Sequence, residues 1–250
     1  LAPLLSKLSS GARLNTDEYK EYNKHIFGRR RVISSCHDKT EKYLSILTNN
    51  VKAIDDRNHW LVYVGDKKFY GTKKDKDGVE EKTITRTIDK IDNATKQKLK
   101  DELNINYRSW KFTQAKNDGQ RKAILSEFIS TGGIIFAIQM LDEGIDIPQL
   151  SHAIMLSSSR NRRQFIQRRG RLLRKDKSKR LEKALFSKIW DIIVVPNISN
   201  YSNDARIDTY KTHLIKEFER AEEFATDARN KGKVLHQISQ LRVQYIKEEE

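Results

Sequence analysis

Five short, continuous apolar runs spaced along the chain constrain its fold most. The first is Trp-Leu-Val-Tyr-Val within His59–Gly65, rich in β-forming residues and bounded by Asn58 and Gly65-Asp66. It has no polar alternation, so a strand here must be buried on both faces. Similar runs fall at Ser109–Thr113, Ile134–Met140, Ala153–Leu156 and Trp190–Val195. Between them lie helical patterns: Ile88–Leu103, Gln120–Ile129 and Arg163–Leu173. In the second, Ile124, Leu125, Phe128 and Ile129 share one side, and Thr131-Gly132-Gly133 stops the helix. Strands alternating with helices imply an α/β fold with a mostly parallel sheet covered on both faces.

Helices are expected at both ends. Thr16–Phe27 places Tyr19, Tyr22, His25 and Ile26 at helical spacing behind a cap at Thr16 or Asp17. Arg29-Arg30-Arg31 follows, as an exposed terminus or a phosphate contact, and Val32–Leu47 reads as a second helix with Tyr43, Leu44 and Leu47 in an apolar stripe. Lys67–Lys82 is dominated by Lys, Asp and Gly and reads as an exposed insertion or mobile loop. Beyond Pro196, Asp208–Asn230 and Lys233–Lys247 are charged amphipathic helices divided at Gly232, and Glu248–Glu250 is a frayed terminus. The expected organisation is a helical lead-in over 1–50, the sheet domain over 51–200 and a helical extension over 201–250.

Composition narrows the class. The 250 residues carry a formal charge of +15, which favours a polyanionic partner. The longest apolar run, Ile134–Leu141, is interrupted by Gln139 and falls far short of the roughly 20 residues a spanning helix needs. The single cysteine, Cys36, excludes an intramolecular disulfide framework and fits a reducing, cytoplasmic interior. The six histidines fall into no zinc-ligand pattern, and no metal site is expected. Leu1–Ser10 is apolar but lacks a leading basic segment, so it reads as the start of a fragment rather than a signal peptide.

The chemistry concentrates in two segments. Asp142-Glu143-Gly144-Ile145-Asp146 follows a strand, at the carboxyl end where open parallel sheets gather ligands. Gly144 permits close backbone approach, and Asp146 offers a carboxylate to a ribose hydroxyl or an arginine. An ordinary glycine turn explains that segment alone equally well. The second segment is Gln167-Arg168-Arg169-Gly170-Arg171-Leu172-Leu173-Arg174, with Arg168, Arg171 and Arg174 at three-residue steps along one helical side. Gly170 costs a helix about 1 kcal/mol relative to Ala, which suggests close approach by another group. Arginine forks suit triphosphate oxygens because they donate bidentately and stay charged.

Residues from about His59 to Pro196 resemble the second RecA-like domain of superfamily 2 helicases and translocases, in the DNA repair and restriction branch. The resemblance rests on Leu-Asp-Glu-Gly-Ile-Asp-Ile-Pro (141–148), similar to motif V, followed by Arg-Gln-Phe-Ile-Gln-Arg-Arg-Gly-Arg-Leu-Leu-Arg (163–174), similar to motif VI. It implies a RecA-like three-layer sandwich, with His59–Gly65 as the motif IV strand. It implies that Thr113 meets the nucleic-acid backbone, that Gly144 and Asp146 line the nucleotide, and that Gln167 leads motif VI. Arg171 would then be the arginine finger and Arg168 and Arg174 its partners. Ile138 stands where many relatives have Thr, so a hydroxyl contact to phosphate is missing or is supplied by Gln139.

The family uses ATP with Mg²⁺, bound between two RecA-like halves. No Gly-x-x-x-x-Gly-Lys-Ser/Thr phosphate loop occurs in these 250 residues. The expectation is therefore the C-terminal motor domain of a DNA helicase or translocase, whose N-terminal partner domain holds Mg²⁺ and the phosphates. Alone, the chain is expected to hydrolyse ATP negligibly. Two alternatives stand beside it: a non-catalytic basic module binding nucleic acid or protein through the helices of 208–247, and a degenerate motor domain kept for structure.

Overall fold

The computed structural model describes residues 2–24, 36–51, 59–74, 80–113, 116–138, 147, 150–157, 187–195 and 204–246. Its centre is β1 (His59–Tyr63), whose five residues are all buried. On one side β1 pairs in parallel with β5 (Gly133–Ala137), His59 opposite Gly133 through Tyr63 opposite Ala137. On the other it pairs in parallel with β6 (Leu150–Met155), with a register irregularity at His59/Trp60. β4 (Ser109–Phe112) flanks β5 and β7 (Lys188–Asp191) flanks β6, giving a five-stranded parallel sheet ordered β4-β5-β1-β6-β7. That is the doubly covered sheet the apolar runs demand.

Strand alternation splits the core in two. Trp60, Val62 and Val64 join Ile134, Phe136 and Ile154 under α3 (His37–Val51) and α4 (Thr87–Leu103). Leu61, Tyr63, Ile135, Ala137 and Met155 face the opposite way, against Phe128, Ile124, Leu125 and Ile129 of α5 (Asp118–Thr131). Three layers result, an α/β RecA-like sandwich. The rings of Trp60, His152 and Trp190 stack across β1, β6 and β7 with centroids 4.2 Å and 5.8 Å from Trp60.

Local sequence sets the element ends. At the start of α5 the Asn117 side chain accepts from Gln120 N (2.9 Å), while Gln120 Oε1 accepts from Asn117 N (3.2 Å), a reciprocal cap. Its other end runs into Gly133 at φ +127°, where an added Cβ would lie 2.6 Å from the Trp110 ring and 2.7 Å from Arg108 O. Only glycine fits, so β5 begins one residue earlier than its apolar run.

Several expectations are corrected. Lys67–Lys82 does not form a structureless insertion: β2 (Lys68–Lys74) and β3 (Glu80–Arg86) pair antiparallel from Lys68 opposite Arg86 to Lys74 opposite Glu80. The β-formers Phe69, Tyr70, Thr72, Thr83, Ile84 and Thr85 are interspersed with charge, which hides them in an average over composition. Residues 16–24 form the second helix, α2, after α1 (Ala2–Ser9). The cap of α2 is Asn15, whose side chain accepts from Asp17 N and Glu18 N, and Tyr19 is 59% exposed rather than in an apolar stripe.

At the C-terminal end, α6 (Asp204–Ala225) and α7 (Lys231–Tyr245) are divided at Thr226–Asn230, with turn bonds such as Ala228 N to Ala225 O at 2.9 Å. Gly232 lies inside α7 in open space. The two helices share Leu214, Phe218 and Ile238, and Arg242 donates to both carboxylate oxygens of Glu222. The segment Arg29-Arg30-Arg31 and the expected helix 163–173 lie outside the described residues.

One polar network ties α4 to β4. Asp92 is buried and accepts from Ser109 Oγ at 2.7 Å, with Lys111 Nζ at 3.1 Å and Lys96 Nζ at 3.2 Å. Burial works to raise its pKa, but Ser109, Lys111 and Lys96 together hold it below the ordinary 3.8. A carboxylate depressed in the folded state stabilises above its unfolded pKa and loses that contribution as pH falls through the folded value. Thermal melts of Asp92→Asn should therefore be less stable than wild type at neutral pH and should flatten below pH 3.8, where wild type declines more steeply. Parallel melting curves from neutral to acid pH would contradict this.

Candidate functional site

The carboxyl ends of the parallel strands form one continuous edge, stitched by backbone bonds one residue beyond each strand. Ile138 N donates to Phe112 O at 3.2 Å, and Val64 N to Ala137 O at 2.9 Å. Tyr63 O accepts from Leu156 N (3.0 Å) and Ser157 N (3.2 Å), and Ile192 N donates to Met155 O at 3.3 Å. The order of strands reverses around β1: β5 and β4 lie to one side, β6 and β7 to the other. Ligands of open parallel sheets gather outside the carboxyl ends at such a switch point.

Thr113 sits on this edge at the end of β4, 6% exposed, its carbonyl accepting from Lys116 N at 3.2 Å. It is next to the backbone of Ile138, which leads into Gln139. Gln139, Gly144, Asp146, Gln167, Arg168, Arg171 and Arg174 lie outside the described residues. The points from which their segments depart are placed, however. The segment with Gln139, Gly144 and Asp146 leaves after Ile138 on β5, and that with Gln167 and the arginines leaves after Ser157 on β6. One strand separates these exits, a spacing of about 9–10 Å.

Beside the second exit is a buried charged quartet that the sequence did not announce. Lys39 of α3 donates from Nζ to Leu156 O at 2.9 Å. Arg220 of α6 contacts Asp191 Oδ2 at 2.5 Å and Glu217 Oε2 at 2.9 Å, with all three side chains less than 10% exposed. Burial pushes the Lys39 ammonium down, against the attraction of Glu217 and Asp191. Burial likewise pushes the Asp191 carboxyl up despite Arg220 and Lys39. At Glu217 burial is outweighed by Arg220, and its pKa falls below 4.5. The available signal was Asp191, a lone carboxylate inside the apolar run Ile189–Val195.

Among the described residues, His37, Asp38 and Glu41 form the group whose possible ligand atoms lie within 4.8 Å of one another. All three are exposed on the first turn of α3, with no surrounding groups to fix a coordination geometry. No described helix is long and apolar enough to cross a membrane.

Residues 80–176 match the family of the helicase conserved C-terminal domain. Solved structures share the fold at low identity. A fragment of a putative HsdR subunit of a type I restriction enzyme from Vibrio vulnificus YJ016 is 17% identical, over 71% of this chain and 30% of that one, with a TM-score of 0.45. The Pyrococcus furiosus Hef helicase domain is 15% identical over 62% and 25%, with a TM-score of 0.35. Domain 2 of the DEAD-box helicase Mss116p, bound to an RNA duplex, is 12% identical over 83% and 74%, with a TM-score of 0.42. No curated protein matches the chain significantly.

The quartet predicts a stability contrast. Arg220→Ala leaves Asp191 and Glu217 buried without their cation and should cost about 3–5 kcal/mol in urea unfolding. Arg242→Ala, which breaks the partly exposed pair with Glu222, should cost about 1 kcal/mol or less. Equal losses would show that the quartet is not under the desolvation its burial implies.

Proposed function

From the premise that this chain contains a helicase conserved C-terminal domain, we propose that it is the C-terminal motor half of an ATP-dependent DNA helicase or translocase. The carrying observation is the departure of both motif segments from one edge of the sheet, after Ile138 and Ser157 on either side of β1. In this reading Gly144, Asp146 and Gln167 border a nucleotide that a second RecA-like domain holds by its phosphates and Mg²⁺. Closure of the two halves brings Arg171 against the γ-phosphate, with Arg168 and Arg174 beside it, where guanidinium forks match the developing charge. Thr113 and Gln139 lie where the strand ends meet the nucleic-acid backbone.

The +15 charge supports a polyanion partner, and contacts to phosphates make binding independent of sequence and sensitive to salt. The domain boundaries follow: 51–200 is the motor half, 1–50 its lead-in and 201–250 a helical extension. Opening and closing of the halves moves the protein along the strand.

The test uses the protein with both RecA-like halves. Arg171→Ala and Arg174→Ala should each lower DNA-stimulated ATP turnover by at least about tenfold, with DNA affinity in the absence of ATP nearly unchanged. Turnover within tenfold of wild type in both variants would remove the finger assignment.

A further inference from the structure

The hairpin of β2 and β3 leaves the carboxyl end of β1 and returns to the first turn of α4, so it stands on the same edge as the motif segments. Its base is clamped: Thr87 donates to Lys67 O from both its amide (2.8 Å) and its hydroxyl (3.0 Å). Seven register pairs hold the two strands together.

Tyr70 and Ile84 are directly opposite each other in that register and are 77% and 59% exposed. Tyr70 is the most exposed large hydrophobic side chain among the described residues. An aromatic and β-branched pair across strands stabilises a ribbon, but this one leaves most of its apolar surface in water.

Cations surround it. Lys68 and Arg86 form the next pair on the same face. On the opposite face Lys67 and Lys90 lie 4.8 Å and 3.6 Å from the centre of the Phe69 ring. The nearby carboxylates are engaged, Asp66 by Arg86 and Asp89 by Lys111. The surface that remains is an exposed aromatic set among lysines. Two apolar side chains are too few for the core of a protein interface, which takes about 20–30 residues a side, but they match the area of one or two bases.

We propose that the Tyr70–Ile84 face of this hairpin is a stacking platform for single-stranded nucleic acid, with Lys68 reaching the adjacent phosphate. This rests on the nucleic-acid reading above and extends it to a surface outside the two motif segments. Tyr70 offers a π-face that accepts any base, and Ile84 fixes the ring from across the ribbon.

Fluorescence anisotropy of the full chain with labelled oligo-dT tests this. Tyr70→Ala should weaken single-strand binding by about tenfold or more, while leaving affinity for a duplex of equal length within about twofold. Tyr70→Trp should retain affinity and show indole quenching on oligonucleotide addition beyond that of wild type. Lys68→Ala should lower the salt slope by about one. If wild type binds and the Tyr70→Ala and Lys68→Ala variants bind equally well, the hairpin inference falls while the proposed function stands. If wild type binds no oligonucleotide, both fall. Self-association lost in Tyr70→Ala at unchanged oligonucleotide affinity would assign the face to a second copy and overturn the proposal.

Discussion

β1 is bonded on both sides along its length, and just beyond it Tyr63 O still accepts from Leu156 and Ser157 while Val64 N donates to Ala137. Those bonds fix the relative height of β5, β1 and β6. Parallel pairing places all the carboxyl ends at one edge, so the register of β1 sets where each following segment leaves the sheet. A slip of one residue would turn Trp60, Val62 and Val64 toward α5 and bring Leu61 and Tyr63 under α3 and α4. The site geometry and the two-sided core are one constraint.

Two further elements depend on that edge in different ways. The hairpin continues directly from β1 and is anchored to α4 by Thr87, so its position follows the central strand rather than a separate core. The quartet anchors from outside: α3 precedes the sheet, α6 follows it, and both place charged side chains against the ends of β6 and β7. Lys39 reaches the carbonyl of Leu156, adjacent to Ser157, after which the arginine-bearing segment departs. The lead-in and extension are therefore packed onto the region that must present those arginines.

Legibility in the sequence followed the range of the interaction. The five sheet strands showed as continuous apolar runs because burial on both faces leaves no polar alternation. The end of α5 was visible in Thr131-Gly132-Gly133, and the need for Gly133 comes from contacts with Trp110 and Arg108 that its own neighbours cannot reveal. The hairpin was hidden because lysines and acids sit among its Phe, Tyr, Thr and Ile residues, and composition weighs charge without regard to pairing. Cap Asn15 was missed for Thr16 because all candidates at that end are capping types, and only geometry selects one. Of the candidate site, the sequence supplied residue identities, and the structure adds Thr113 beside Ile138 and the two exits flanking β1.

The quartet was not legible because its members meet only through the tertiary fold. Lys39 and Leu156 are 117 residues apart, and Arg220 and Asp191 are 29 apart. Its persistence also needs a reason, since a buried ion cluster repays its desolvation only with close geometry and often stabilises no more than apolar packing would. What charge supplies here is direction. An apolar contact between α3, α6 and the ends of β6 and β7 would tolerate sliding, whereas a lysine on one carbonyl and a guanidinium shared by two carboxylates permit few alternatives. An edge that must hold separate segments in fixed relation is where such directional restraint, even at little net stability, serves the fold best.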